Sequence, residues 1–163
     1  MILYLFQLIL FTNCFQLVNK QNFNPVIQFI NETRTGFTNV AFYLDAYLSF
    51  SIENSIFRSN RGDNDNPGAI KTSGVGPVLL LNTIFINNTG NYKGGAIYID
   101  VQNLEISGCN FTGNKCYDPS YNSIDKSHGG AIYIKCQINY IQIIESCIFN
   151  ENIAKIFGGS LFI

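Results

Sequence analysis

The stretch YKGGAIYID occupies residues 92–100, and two later stretches repeat its pattern: SHGGAIYIK at 127–135 and IFGGSLFI at 156–163. A second motif recurs upstream of these stretches and consists of a small residue, any residue, Phe, two further residues and Asn. It occurs four times, as SIFRSN (55–60), TIFINN (83–88), CNFTGN (109–114) and CIFNEN (147–152). Self-similarity along a chain is typical of solenoids and repeat arrays. The two motifs therefore predict a structural unit that recurs along most of the sequence.

The spacing of the repeats predicts where the chain leaves the regular array. The Phe positions 57, 85, 111 and 149 are separated by 28, 26 and 38 residues, so the base period is near 27. The longest step contains extra residues, rich in turn formers, between Asn114 and Gly129. Repeat arrays accommodate insertions in loops on one face. We therefore predict an inserted loop at 115–128.

Alternation within the motifs indicates β-strands and separates an inward from an outward face. In AIYI, Ile97 and Ile99 share one face, while Ala96 and Tyr98 share the other. The copies of Ile97 are always large and apolar, which places that column inside. The column of Tyr98 accepts a lysine and therefore points outward; its members are Tyr43, Lys71, Tyr98, Tyr133 and Phe162.

These short strands have no hairpin partner within a repeat, so they bury their inward face by stacking on the next repeat. Stacked repeats form parallel sheets at about 4.8 Å per rung. The prediction is an all-β fold, a right-handed single-stranded parallel β-helix of about five rungs spanning residues 24–163.

Each motif position has a physical reason within such a coil. The Gly94–Gly95 pair permits a sharp corner, since glycine accepts positive φ. The Phe column is expected to stack along the core. The Asn column is expected at the next corner, in the left-handed conformation and hydrogen-bonded to its copy in the adjacent rung; its members are Asn60, Asn88, Asn114 and Asn152.

The N-terminal segment differs from the repeats in composition. Residues 1–11 read MILYLFQLILF, an apolar run broken only by Gln7, with a length that fits the core of a secretory signal peptide. We assign 1–19 to a signal peptide or a signal anchor; a buried first strand is the remaining alternative. The chain has 13% charged residues and a net charge of -1, which argues against a nucleic-acid-binding protein.

The ordered pair F-x-x-N and G-G-A-[I/L] resembles the repeats of the polymorphic outer membrane proteins, autotransporter adhesins of bacteria. The resemblance covers roughly residues 49–163, and CNFTGN with GGAIYI is one of its best copies. It implies a pectin-lyase-like β-helix at a cell surface with an adhesive or interaction role. The chain departs from the family by lacking a C-terminal membrane β-barrel, and it stops within a repeat motif. Two interpretations follow: the chain is a fragment of a larger surface protein, or its open C-terminal rung pairs with a partner or with a second copy. A non-functional fragment of a larger surface protein is a further alternative.

The alternative of a carbohydrate-active enzyme requires acidic side chains converging on one outer face. The positions of Asp63, Asp65, Asp100 and Glu105 would decide it. Asp100 is expected to pair with Lys135 of the next rung, and His128 is interpreted as a surface loop residue. We predict no catalytic residue, no metal site and no cofactor.

Cysteines and sequons add two predictions for an exported chain. Cys116 lies at the start of the inserted loop, and Cys136 lies at the end of the strand that follows this loop. We predict a disulfide between them. Three N-x-[ST] triplets, at Asn31, Asn87 and Asn110, are candidate N-glycosylation sites.

The function predicted from the sequence is that of a secreted or cell-surface β-helical repeat protein with a structural or adhesive role. Its partner is expected to be a surface protein or a glycan. The candidate binding surface is the outward column at Tyr43, Tyr98, Tyr133 and Phe162, or the loop beside it.

Overall fold

A computed structural model describes residues 27–45, 49–74, 76–117, 127–135 and 141–163. The described residues form eighteen short β-strands and no helix, arranged in five successive rungs. The first rung holds β1 (Ile27–Ile30), β2 (Thr33–Thr35) and β3 (Phe42–Asp45), and the second holds β4 (Phe50–Glu53), β5 (Ile56–Arg58) and β6 (Ile70–Gly74). The third holds β7 (Val78–Leu81), β8 (Ile84–Ile86), β9 (Thr89–Gly90) and β10 (Ile97–Val101).

The fourth rung holds β11 (Asn103–Ser107), β12 (Asn110–Thr112), β13 (Lys115–Cys116) and β14 (Ile132–Ile134). The fifth holds β15 (Ile141–Glu145), β16 (Ile148–Asn150), β17 (Ile153–Ala154) and β18 (Leu161–Phe162). No helix in the described part of the chain is long and apolar enough to cross a membrane.

The strands stack into three five-stranded walls, and every pairing between described strands is parallel. Wall 1 has the order β1-β4-β7-β11-β15, wall 2 has β2-β5-β8-β12-β16, and wall 3 has β3-β6-β10-β14-β18. The short strands β9, β13 and β17 form a fourth, three-stranded sheet. This confirms the parallel β-helix that the repeats predict, including the number of rungs.

The core lies inside the coil and is built from the inward column of each wall. Ile97 and Ile99 are fully buried, whereas Tyr98 between them is only partly covered, as the alternation predicts. Placing Ala96 on the outward face with Tyr98 was wrong, because Ala96 is fully buried at the corner before β10. The Phe column stacks at the centre, with ring centroids 5.2 Å apart for Phe57–Phe85, 4.7 Å for Phe85–Phe111 and 5.0 Å for Phe111–Phe149. Large apolar side chains at one register position therefore make the core continuous from rung to rung.

The Asn column forms a hydrogen-bonded ladder through the buried corner after wall 2. The Oδ1 atom of Asn88 accepts from the backbone N–H and from Nδ2 of Asn60, at 3.1 and 3.0 Å. The same contacts join Asn88 to Asn114, and Asn114 to Asn152. Each Nδ2 also donates to a main-chain carbonyl of the preceding rung, as Asn88 does to Phe57 at 2.9 Å. The lateral bonding predicted for this column is confirmed.

The left-handed conformation predicted for the Asn column is wrong by one position. Positive φ occurs at the residue before each ladder asparagine: 53° at Ser59, 52° at Asn87, 65° at Gly113 and 52° at Glu151. The left-handed residue turns the chain, and the asparagine that follows is thereby aimed into the coil. Its amide is needed inside for hydrogen bonding rather than at the bend itself.

Candidate binding surface

The outward column of wall 3 carries three stacked aromatic rings. The parallel register aligns Tyr98 with Tyr133 and Tyr133 with Phe162. The ring centroids of Tyr98 and Tyr133 lie 5.5 Å apart at an interplanar angle of 4°, and those of Tyr133 and Phe162 lie 5.2 Å apart at 12°. Tyr43 occupies the same column and is 60% exposed, but Lys71 separates it from Tyr98. The structure thus brings together three of the four aromatic residues predicted as a binding surface.

Two lysines contact the faces of these rings. Lys71 Nζ lies 5.9 Å from the centroid of Tyr98 and also donates to Oδ1 of Asn66 at 2.9 Å. Lys93 Nζ lies 4.8 Å from the centroid of Tyr133. Cations bind the negative face of an aromatic ring, so each lysine has a defined place on the column.

A second column runs beside the first and was missed by the sequence interpretation. It consists of the residue that precedes each glycine pair, namely Lys93, His128 and Phe157, which are joined by isolated parallel bridges. The His128 ring lies edge-on to Phe162, with centroids 4.6 Å apart, and to Phe157, at 5.4 Å. Interpreting His128 as a surface loop residue was therefore incomplete, because its ring packs within the aromatic cluster.

We call the two columns together the aromatic–lysine face; its residues are Lys71, Lys93, Tyr98, His128, Tyr133, Phe157 and Phe162. In the sequence, the second column corresponds to the position that precedes the glycine pair in each repeat. That position carries a different side chain in each repeat, so no shared chemistry marked it in the sequence.

The glycine pairs form the corner between the two columns. Gly94, Gly129 and Gly158 have φ of 74°, 68° and 64°, so each forms the left-handed corner that leads into wall 3. A methyl group at Gly95 would collide with the carbonyl oxygen of Gly130 in the next rung. A methyl group at Gly130 would likewise collide with the carbonyl oxygen of Gly159, whereas one at Gly159 would meet only an ordinary contact. Gly95 and Gly130 are thus required for close stacking of the rungs beneath the aromatic–lysine face.

An ion pair borders the column, as the sequence predicts. Lys135 Nζ lies 2.8 Å from Oδ2 of Asp100, and the Asp100 side chain is only 17% exposed. Burial raises the pKa of Tyr98, and the nearby Asp100 carboxylate raises it further. Tyr98 therefore keeps its proton at neutral pH and presents a phenol hydroxyl beside this pair.

The acidic residues that would support an enzyme are dispersed over the coil. Asp63 and Asp65 lie in the turn after β5, Asp100 lies on wall 3, and Glu105 lies on wall 1. Asp63 Oδ1 accepts from Nδ2 of Asn66 at 2.9 Å, which is local turn chemistry. Within the described ranges, no group of three or more His, Cys, Asp or Glu side chains is placed to hold a metal ion.

The remaining predicted sites lie away from the aromatic–lysine face or outside the described residues. Asn31 and Asn87 are exposed residues with positive φ, and Asn110 points outward from wall 2, where its Oδ1 accepts from the Thr112 hydroxyl at 2.8 Å. Glycosylation at these three positions stays a prediction. Cys116 is buried at the end of β13, and its predicted disulfide partner Cys136 is not among the described residues.

The structure describes none of residues 1–19 and only the two ends of 115–128. The signal peptide or anchor lies wholly outside the described residues. Of the inserted loop, Lys115 and Cys116 belong to β13, while Ser127 and His128 have already rejoined the coil beside wall 3.

Two segments that contain the centre of the aromatic–lysine face match the repeat of a known family. Residues 82–100 and 108–135 match the Chlamydia polymorphic membrane protein (Chlamydia_PMP) repeat. No curated protein and no solved structure matches the chain. The matched segments contain two copies of F-x-x-N, at 85–88 and 111–114, and both complete copies of G-G-A-I. The matched segments of the third and fourth rungs are therefore repeats of the polymorphic membrane protein type.

Proposed function

We propose that the protein acts at a cell surface as a β-helical interaction module, and that the aromatic–lysine face contacts its partner. The observation that carries the proposal is this face itself. It presents stacked rings and lysines on one wall, although folding requires only the inward columns to be apolar. Aromatic side chains clustered at a surface are frequent centres of binding.

The matched repeat supports the surface location, because its family consists of membrane proteins. The proposed role is structural or adhesive and does not include catalysis. The coil supplies a rigid scaffold, since Tyr98 and Tyr133 lie on strands that are paired on both sides. A rigid surface loses little conformational entropy when a partner binds.

The proposal is tested by adhesion of the purified full chain, displayed on beads, to cultured cells. The double variant Tyr98→Ala/Tyr133→Ala removes the centre of the ring stack and is expected to abolish most adhesion. The matched control Ile56→Ala/Ile148→Ala removes two exposed apolar side chains from wall 2, which are 38% and 61% exposed. Circular dichroism verifies that both variants remain folded.

Equal adhesion of the two variants would refute the assignment of the aromatic–lysine face. Surface location is tested separately by labelling intact source cells with an antibody against the chain, with permeabilised cells as the reference. Labelling only after permeabilisation would contradict the surface proposal. Sedimentation of the purified chain at several concentrations tests self-association as an alternative use of the coil.

A further inference from the structure

The electrostatic character of the aromatic–lysine face follows from how its rings are oriented. The rings of Tyr98, Tyr133 and Phe162 stack on each other, and lysines lie over two of them. An aromatic ring has a negative face and a positive edge. The stacked rings and the two lysines together occupy most of these negative faces, so ring edges and phenol hydroxyls are the groups that remain for a ligand. Ring edges and hydroxyl donors both favour a ligand that is rich in negatively charged oxygens.

Charged groups on the same wall reinforce this preference. Lys71 and Lys93 lie against its rings, and the Asp100 carboxylate on the same wall is paired with Lys135. Asp45 has the register position of Asp100 two rungs earlier. The positive region therefore begins at the rung of Lys71 and extends to that of Lys135, a span of about 10 Å at the usual strand spacing.

The backbone of wall 3 excludes one common way of binding a peptide. Strands β10 and β14 each pair with a neighbour on both sides, so their main-chain groups are occupied along the centre of the wall. A peptide that adds a strand to a sheet needs an open edge. A neutral sugar that stacks on aromatic rings needs an open ring face, and the stack leaves few.

From these observations we infer that the aromatic–lysine face binds a linear anionic glycan, one bearing sulfates or uronate carboxylates, laid along the axis of the coil. Its anionic oxygens receive hydrogen bonds from the lysines and from the Tyr98 and Tyr133 hydroxyls. The positive region is long enough to contact a few sugar units of this glycan. The inference rests on the proposed function and names the partner class for the same face.

Binding is measured by titration calorimetry of the full chain at low salt, with EDTA present to exclude metal bridging. The probes are a heparin hexasaccharide, an oligogalacturonate hexamer, the neutral maltohexaose and a hexaglutamate peptide. Binding of one or both anionic glycans, weakened by added NaCl, is expected, whereas maltohexaose and hexaglutamate bind at least tenfold more weakly. The first two probes distinguish sulfate from carboxylate as the recognised anion.

Three variants locate the site and control for net charge. Lys71→Gln/Lys93→Gln is expected to raise the dissociation constant roughly tenfold, since each lost contact resembles an exposed ion pair. Arg58→Gln/Lys115→Gln removes the same two charges outside wall 3 and is expected to change it less than about twofold by the same reasoning. Asp100→Asn removes the carboxylate paired with Lys135, so binding is expected to strengthen.

The outcomes separate this inference from the proposed function. If both double variants weaken glycan binding equally, the attraction is a general effect of net charge and the inference is overturned. Equal binding of hexaglutamate and the glycans overturns the glycan class in favour of an acidic protein partner. If no anionic glycan binds, yet adhesion to cells still requires Tyr98 and Tyr133, the proposed function stands and the ligand class is wrong.

Discussion

Replacing Asn88 by alanine tests the asparagine ladder as a determinant of folding. The Asn88 side chain is fully buried and makes four hydrogen bonds: two donated, to the Phe57 carbonyl and to Asn114 Oδ1, and two accepted from Asn60. The alanine variant leaves the buried Asn60 N–H without its acceptor, at a cost of about 1–3 kcal/mol. The other bonds lost contribute about 1 kcal/mol each at most. We expect the free energy of unfolding to fall by about 3–5 kcal/mol.

The assay is urea unfolding of the full chain, followed by far-ultraviolet circular dichroism and by tyrosine fluorescence, since the sequence contains no tryptophan. The control Asn150→Ala changes an exposed asparagine on wall 2 and is expected to shift stability by less than about 0.5 kcal/mol. If Asn88→Ala does not fold, Asn152→Ala provides a milder change. Asn152 is only partly buried, and its ladder contacts are with Asn114 and the Phe111 carbonyl.

A second substitution distinguishes the ladder from simple loss of volume. Asn88→Asp keeps the shape of the side chain but replaces the amide donor by a carboxylate oxygen facing two acceptors, the Phe57 carbonyl and Asn114 Oδ1. The ladder predicts that aspartate is at least as destabilising as alanine at pH 7 and recovers in part at acidic pH. A near-neutral effect of aspartate, or a loss below about 1 kcal/mol for alanine, would refute the reasoning.

Three further predictions concern single positions. Thr72 is fully buried, and its hydroxyl has no hydrogen-bond partner among the described residues. Thr72→Val is therefore expected to raise the free energy of unfolding by about 1 kcal/mol in urea titrations. A loss of stability would contradict this. Gly94→Ala places a methyl group against the Ile97 carbonyl, whereas Gly36→Ala has the same left-handed φ in open space. In thermal unfolding, Gly36→Ala should lower the free energy of unfolding by about 1–2 kcal/mol, and Gly94→Ala should lower it clearly more. Equal losses of stability would exclude the clash with the Ile97 carbonyl as the cause. Because the pKa of Tyr98 is raised in the folded state, Tyr98 contributes stability at neutral pH that is lost as the pH rises through the folded pKa. Asp100→Asn removes one cause of the raised pKa, so Tyr98 should ionise at a lower pH in an alkaline absorbance titration. Ionisation at a higher pH would contradict the role of Asp100.

Much of the fold could be predicted because its determinants repeat. The alternation around Ile97 and Tyr98 separates inside from outside in every copy, and the Phe column has one physical role throughout. The left-handed corner was misplaced because both Asn87 and Asn88 are residues that favour turns. Only the packing of the coil decides which of two neighbouring turn formers bends the chain and which is buried.

The binding surface was harder to predict than the core. The contribution of His128 depends on its neighbours in adjacent rungs, Lys93 and Phe157, whose side chains share no chemical type. A pattern of identical residues can be recognised along the sequence, whereas a cluster of unlike residues emerges only when the rungs are stacked. The lysines over the rings of Tyr98 and Tyr133 are of this second kind.

The longest repeat has a consequence for how such a coil tolerates change. Cys116 pairs with Gly90 and Ala154 on its two sides, and His128 bridges Lys93 and Phe157, although more residues separate them than in the neighbouring repeats. Alignment between rungs is therefore independent of the number of residues in a turn of the chain. The coil accommodates extra sequence between Cys116 and His128, and this segment begins and ends beside the aromatic–lysine face. The architecture thus separates a constant frame from a site where new recognition sequence can be added without altering the frame.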